Sequence, residues 1–243
     1  MQLLVVGAGE MGRWFARQSG ADAVAFADRD PAAARNAAAA MDAAIAVPLD
    51  TDETFDTVCL AVPMSATPAA IEAHAEKATE AVVDVAGEMR DSVAALKAHA
   101  EGRESASFHP LFSSSNAPGN VPTVVVQDGP TIERLRSALE SAGNEVFETT
   151  VTEHDRAMET VQAKAHTAVL AYALVAGDVD PRFHTALSEP LSELASGLTG
   201  NTPAVYAEIQ ARFDGSESVA DAAAELAAAD DETFIELYEE AGE

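Results

Sequence analysis

Leu3-Leu4-Val5-Val6-Gly7-Ala8-Gly9-Glu10-Met11-Gly12 stands at the start of the sequence, and its reading decides the fold. Four apolar residues run into a GxGxxG, and a helical stretch, Met11 to Gln18, follows. A strand, a glycine turn and a helix in that order form the first unit of a dinucleotide-binding fold. Gly7 makes the tight turn, Gly9 lets the backbone approach a pyrophosphate, and Gly12 lets helix and strand pack closely. The helix start, with Glu10 and Met11 in its first turn, offers N–H groups to the anion. Asp28 ends the next strand-like run. A carboxylate there accepts ribose hydroxyls and repels a 2′-phosphate, which favours NAD, while Arg29 beside it keeps NADP open. The competing reading of the same residues is a plain glycine turn and a surface aspartate.

Outward from this unit, short apolar runs alternate with Ala-rich helical stretches. Strands are expected at Leu3–Val6, Ala23–Ala27, Thr57–Val62, Ala81–Val85, Ala106–Phe108, Thr123–Val126 and Asn144–Thr149. Beyond residue 150 only helices are expected, the first a single long one from His154 to Ala176. The pattern predicts an α/β class, with a doubly wound Rossmann-type parallel sheet over 1–150 and a smaller all-α domain over 151–243. Val62 and Pro63, with Met64 after them, end the third of these strands and fall where such sheets bind ligands, near the nicotinamide half of the cofactor.

The 243 residues carry 41 acidic against 14 basic side chains, a formal charge of −27, and 48% are hydrophobic. So large an apolar share excludes a disordered acidic tail. The charge excludes nucleic acid and acidic membrane surfaces as partners. No apolar run is long enough to span a bilayer, and no basic leader precedes the first strand, so a cytoplasmic protein is expected. Cys59, the one cysteine, has no internal partner for a disulfide. Lysine occurs only at Lys77, Lys97 and Lys164, and Glu217 to Glu243 contains no basic residue. This balance resembles proteins of salt-accumulating cells, where ions screen self-repulsion.

Six histidines are candidates for proton transfer. His74 and His99 fall on helices expected at the surface. His109 ends a strand before Pro110 on the ligand-binding edge, and an imidazole, ordinarily titrating near about 6.5, suits a general base. His154 opens the long helix, and α-helical periodicity puts Gln162 and His166 on a similar face. Polar groups there are placed to meet a ligand, although a core histidine bonded across a helix interface reads the same way. Arg156 and Lys164 flank that face and are rare cations suited to a carboxylate.

Together, Gly7-Ala8-Gly9-Glu10-Met11-Gly12, Leu60-Ala61-Val62-Pro63, Asp84-Val85-Ala86, His109-Pro110-Leu111-Phe112 and the His154-Asp155-Arg156-Ala157-Met158 run through Gln162 to His166 resemble the prephenate dehydrogenase family. The resemblance covers residues 1 to about 210, and its His-Pro turn and His-Asp helix are the specific parts. It implies NAD-dependent oxidative decarboxylation of prephenate to 4-hydroxyphenylpyruvate, a step of tyrosine synthesis. His109 would accept the ring hydroxyl's proton, and His166 would contact the substrate side chain. The helical domain would form a homodimer. No metal is implied. Two departures stand out. Relatives carry Ser and then Lys after the Asp-Val-Ala strand end, where this chain has Gly87-Glu88-Met89-Arg90, leaving Ser113 or Ser114 to assist His109. The arginine that holds a substrate carboxylate in many relatives falls at Gly197, leaving Arg156, Lys164 or Arg212 for that role. The nearest alternative substrate is arogenate. A β-hydroxyacid-type dehydrogenase would depend on Lys164, and a non-catalytic NAD-sensing module would need no base at His109.

Overall fold

The computed structural model describes Met1 to Gly242. The chain divides into two compact units, Met1–Asp155 and Arg156 onward. In the first, eight strands form one sheet in the order β3-β2-β1-β4-β5-β6-β7-β8. Along the chain run β1 (Gln2–Val6), α1 (Glu10–Gln18), β2 (Ala23–Ala27), α2 (Pro31–Ala39), β3 (Ala44–Ala46) and β4 (Phe55–Leu60). There follow α3 (Thr67–His74), β5 (Ala78–Asp84), α4 (Arg90–His99), β6 (Glu104–Phe108), β7 (Asn120–Gln127), α5 (Pro130–Ser141) and β8 (Glu145–Glu148).

Alternation along β1 builds a core on each face of this sheet. Leu3 and Val5 join Phe15 of α1, Ala34 of α2 and Leu135 of α5, whereas Leu4 and Val6 join Ile71 of α3 and Leu96 of α4. Strand order reverses at β1, which pairs in parallel with β2 on one side and β4 on the other. A crevice at the carboxyl ends of the strands follows from that switch.

Four expectations are corrected. The sheet is not wholly parallel, because β7 runs antiparallel to β6. No helix of crossover length lies between Phe108 and Asn120, so the chain can only return alongside. β3 was not anticipated, since three residues are too few to show an alternation. His74 is buried rather than solvated, because it shares with Ile71 and Ala75 the inward face at the end of α3. Burial lowers its tendency to protonate, with the nearby Lys77 charge acting the same way.

The fourth correction concerns the long helix. It begins earlier, as α6 (Val151–Met158), passes through a π-helical segment at Glu159–Lys164 and continues as α7 (Ala165–Val175). The wider turn slips the α-helical phase, so Ala163 is the fully buried residue while Gln162 and His166 are half-buried. The division between the units falls inside α6, leaving His154 and Asp155 with the sheet. The second unit continues with α8 (Ser188–Thr199), α9 (Pro203–Arg212), α10 (Ser216–Ala228) and α11 (Asp231–Glu240), with a break at Ala229-Asp230 between the last two. Among the described residues no helix is long and apolar enough to cross a membrane.

Candidate active site

The glycine turn has the geometry its motif demands. Gly7 has φ +103°, and a Cβ there would stand 2.2 Å from the Ala61 carbonyl oxygen. On Gly12 it would stand 2.0 Å from the Gly7 oxygen. At Gly9, the N-cap of α1, it would meet nothing within 4 Å. Space over Gly9 and the N–H groups of the first turn make a cradle for a pyrophosphate. Asp28 accepts from the Ala8 N–H at 2.7 Å and the Asp30 N–H at 2.8 Å. A carboxylate with two oxygens retains lone pairs for ribose hydroxyls. Arg29 and Pro63 are exposed, and Val62 is half-buried. These residues fit a dinucleotide.

Glu10 brings a negative charge to the same helix start. Its Oε1 accepts from the Ser114 N–H at 2.8 Å and the Ser114 hydroxyl at 2.7 Å. Phe112 meets Trp14 of α1 edge-on, with ring centroids 5.3 Å apart. The loop after His109 is thus fastened to the helix that carries the glycine turn.

His109 follows β6, its N–H bonded to the Pro122 oxygen of β7 at 3.0 Å. Since β1, β4, β5 and β6 run parallel, their carboxyl ends bring Gly7, Val62, Gly87 and His109 to one edge of the sheet. A Cβ on Gly87 would stand 3.4 Å from His109 Nε2 and 2.9 Å from Met64 Sδ. A serine at position 87 would therefore lie against the imidazole only if the Met64 thioether withdrew. Neither expected substitute is bonded to His109: Ser113 shares a bond with Ser115 at 2.9 Å, and Ser114 is held by Glu10.

Behind His109 stands His154, their Nδ1 and Nε2 atoms 2.8 Å apart. Asp155 Oδ1 lies 2.8 Å from His154 Nδ1 and accepts from the Met89 N–H at 3.3 Å. Thr150 Oγ1 accepts from the Glu153 N–H, fixing the start of α6 and so the place of both residues. His154, expected at the substrate, has both ring nitrogens engaged by protein groups. Burial, and then the neighbouring His154, push the His109 imidazole well below its usual range. Asp84, fully buried at the end of β5, accepts from the Ala86 N–H at 3.0 Å and the Ser107 hydroxyl at 2.8 Å.

In the second unit His166 is half-buried and meets Tyr206 edge-on, with ring centroids 5.0 Å apart. Burial lowers its tendency to protonate. Gln210 of α9 accepts from the Thr167 hydroxyl at 3.0 Å and donates to the Ala163 oxygen at 3.1 Å, clamping α9 to the π-helical segment. Arg156 is exposed, while Lys164 is half-buried with its stem against Gly215. Asp155 and Glu88 escaped the sequence reading as site residues. The adjacent His154-Asp155 pair was the available signal.

Residues 2–88 match the family described as NADP oxidoreductase coenzyme F420-dependent. A 4-amino-4-deoxyprephenate dehydrogenase of Streptomyces pristinaespiralis is 29% identical over 176 residues, covering 64% of this chain and 56% of the relative. The chain thus spans little more than half that relative's length in the match. Prephenate dehydrogenase from Aquifex aeolicus superposes with a TM-score of 0.71 at 17% identity, covering 99% of this chain and 97% of that one. The same enzyme in complex with hydroxyphenyl propionate and NAD+ gives a TM-score of 0.67 at 16% identity, over 86% and 81% of the two chains. The resemblance to prephenate dehydrogenases carried by the motifs is therefore found again, in sequence with one relative of that kind and in fold with the solved enzymes.

Proposed function

We propose that the chain is an NAD-dependent dehydrogenase that oxidatively decarboxylates prephenate, with His109 as its base. The observation that carries this reading is the placing of His109 Nε2 beside Gly87, on the edge of the sheet that also holds the glycine turn. NAD held there supplies the acceptor for a hydride. Gly7, Gly9 and Gly12 with the start of α1 hold its pyrophosphate, and Asp28 accepts the ribose hydroxyls. NADP is the second choice, through the exposed Arg29. His109 Nε2 accepts the proton of the ring hydroxyl as hydride leaves the same carbon. Loss of carbon dioxide then makes the ring aromatic, so the chain contributes orientation and a base.

Two substrate carboxylates left unpaired in a closed site would be costly. Arg156, Lys164 and Arg212 are the cations assigned to them, and His166 with Gln162 to the side chain. Arogenate and 4-amino-4-deoxyprephenate exchange one oxygen substituent for nitrogen and are the alternative substrates, the second named in the Streptomyces relative. A second copy of the chain is the partner proposed for the exposed apolar side chains of the helical unit, and high salt is the proposed working medium. The direct test follows NADH formation with prephenate, arogenate and 4-amino-4-deoxyprephenate in molar salt. Turnover of prephenate above the other two is expected, and no turnover of any of the three would sink the reading.

A further inference from the structure

We propose that Asp155 and His154 form a proton relay behind His109, holding its Nε2 unprotonated at rest and moving the positive charge onto His154 when Nε2 takes a proton. The proposal rests on the reading of His109 as the base, but its first test needs no substrate.

Polarity follows from the carboxylate outward. Asp155 Oδ1 already accepts from the Met89 N–H, and an ionised carboxylate can only accept, so the proton 2.8 Å away sits on His154 Nδ1. A neutral imidazole carries one N–H, which makes His154 Nε2 an acceptor. The 2.8 Å contact to His109 is then a bond donated by His109 Nδ1. By the same rule His109 Nε2, the atom facing Gly87, is the acceptor of its ring.

The relay also answers a difficulty of burial. Only 5% of His109 is exposed, so an imidazolium confined to that ring lacks solvation. In the proposed step the substrate O–H bond breaks and an N–H forms at His109 Nε2. The His109 Nδ1–H then breaks and an N–H forms at His154 Nε2. His109 ends neutral, and the imidazolium lies against the Asp155 carboxylate. One proton and one charge have moved, and nothing else is consumed.

The charged groups around the pair come from three elements. Glu88 lies just before α4, and burial, with the neighbouring Asp91 and Asp155 charges adding to it, raises its carboxyl above the usual range. Arg90 Nε lies 3.8 Å from Asp155 Oδ2, but its side chain is largely exposed and screened. Asp84 lies at the end of β5, and Glu153 of α6 is held by Thr149 and Thr150.

The first test is 15N NMR of the full chain labelled at histidine, without cofactor or substrate. His109 and His154 are both expected as Nδ1–H tautomers at neutral pH, and an Nε2–H tautomer at His109 would overturn the proposal. The second compares variants. Asp155→Asn should lower turnover by about ten- to a hundred-fold and move the acid limb of the pH profile to lower pH, since the cation loses its counter-charge. His154→Gln should lose turnover yet keep the His109 tautomer, because its amide oxygen accepts from Nδ1–H but takes no proton. An unmoved acid limb in Asp155→Asn would reduce both residues to packing and refute the relay. Failure of every substrate with the unaltered chain would strike the activity, not the tautomers.

Discussion

The two units of this chain solve the problem of a core differently. The sheet unit covers both faces with helices and buries Phe15, Phe26, Phe108 and most of its leucines completely. The helical unit leaves Leu174 87%, Leu187 78% and Phe183 75% exposed, and among its described residues the apolar side chains it buries are Met158, Ala163, Ala195, Ile209 and Phe213. A layered sheet closes on itself, whereas a few Ala-rich helices lack the bulk to do so. What the chemistry needs held rigidly, the glycine turn and the His109–His154–Asp155 series, lies in the unit that is complete by itself.

The largest effect expected from this contrast is chemical. His109→Asn should lower turnover by about a hundred-fold or more while cofactor affinity stays within a few-fold, as steady-state rates and cofactor titration would read. Lys164→Ala in the helical unit should raise the substrate KM through the lost carboxylate partner but keep the base-dependent step in kcat. Loss of all turnover there, with His109→Asn active, would turn the reading to a lysine-dependent β-hydroxyacid enzyme. Within the cradle, Gly9→Ala should weaken NAD by about ten-fold at an unchanged melting point, because its Cβ meets only the space a phosphate needs. Gly12→Ala should also lower the melting point, since its Cβ runs into the Gly7 carbonyl. Equal melting points for the two would break the distinction.

Charging the exposed apolar residues, as Leu174→Asp with Leu187→Asp, should leave the sheet unit folded and release monomers, measured by sedimentation. An unaltered sedimentation coefficient would mean those residues cover no partner. Smaller is the effect of Asp84. Complete burial raises its carboxyl to about 7 against the bonds from Ala86 and Ser107, and the charge of Glu88 adds to the rise. Its folded pKa lies above the unfolded value of about 4, so the stability it contributes is full at low pH and lost as pH rises through about 7. Asp84→Asn should flatten the melting point over that interval, and a slope unchanged from the parent would contradict the cause. Smallest per ion, added salt should raise the melting point, because the screening length falls from about 8 Å at physiological ionic strength to about 3 Å at 1 M. A melting point insensitive to salt would exclude self-repulsion as a force on this fold.

Much of the sheet unit was legible in its sequence, because most strands there contain a short apolar run and several of the turns carry a glycine or proline. Gly7, Gly9, Gly12, Asp28 and His109 were singled out from the same signals. The antiparallel return at β7 was not, since a motif-led reading extended the parallel pattern across a connection without a helix. Nor was the bonding of His154 and Asp155. Periodicity assigns faces to a helix but not the partners a side chain meets, and here the partners come from the end of β6 and the turn before α4. The π-helical segment at Glu159–Lys164 was not legible either, because a phase slip leaves no mark in composition.

Whether an imidazole works on a ring held beside the nicotinamide is decided by a crystal structure with NAD bound. The pyrophosphate should lie over Gly9 at the start of α1, and the nicotinamide C4 should be separated from His109 Nε2 by the thickness of one substrate ring. A nicotinamide directed away from Gly87 and His109, with the pyrophosphate in place, would contradict that role of the imidazole.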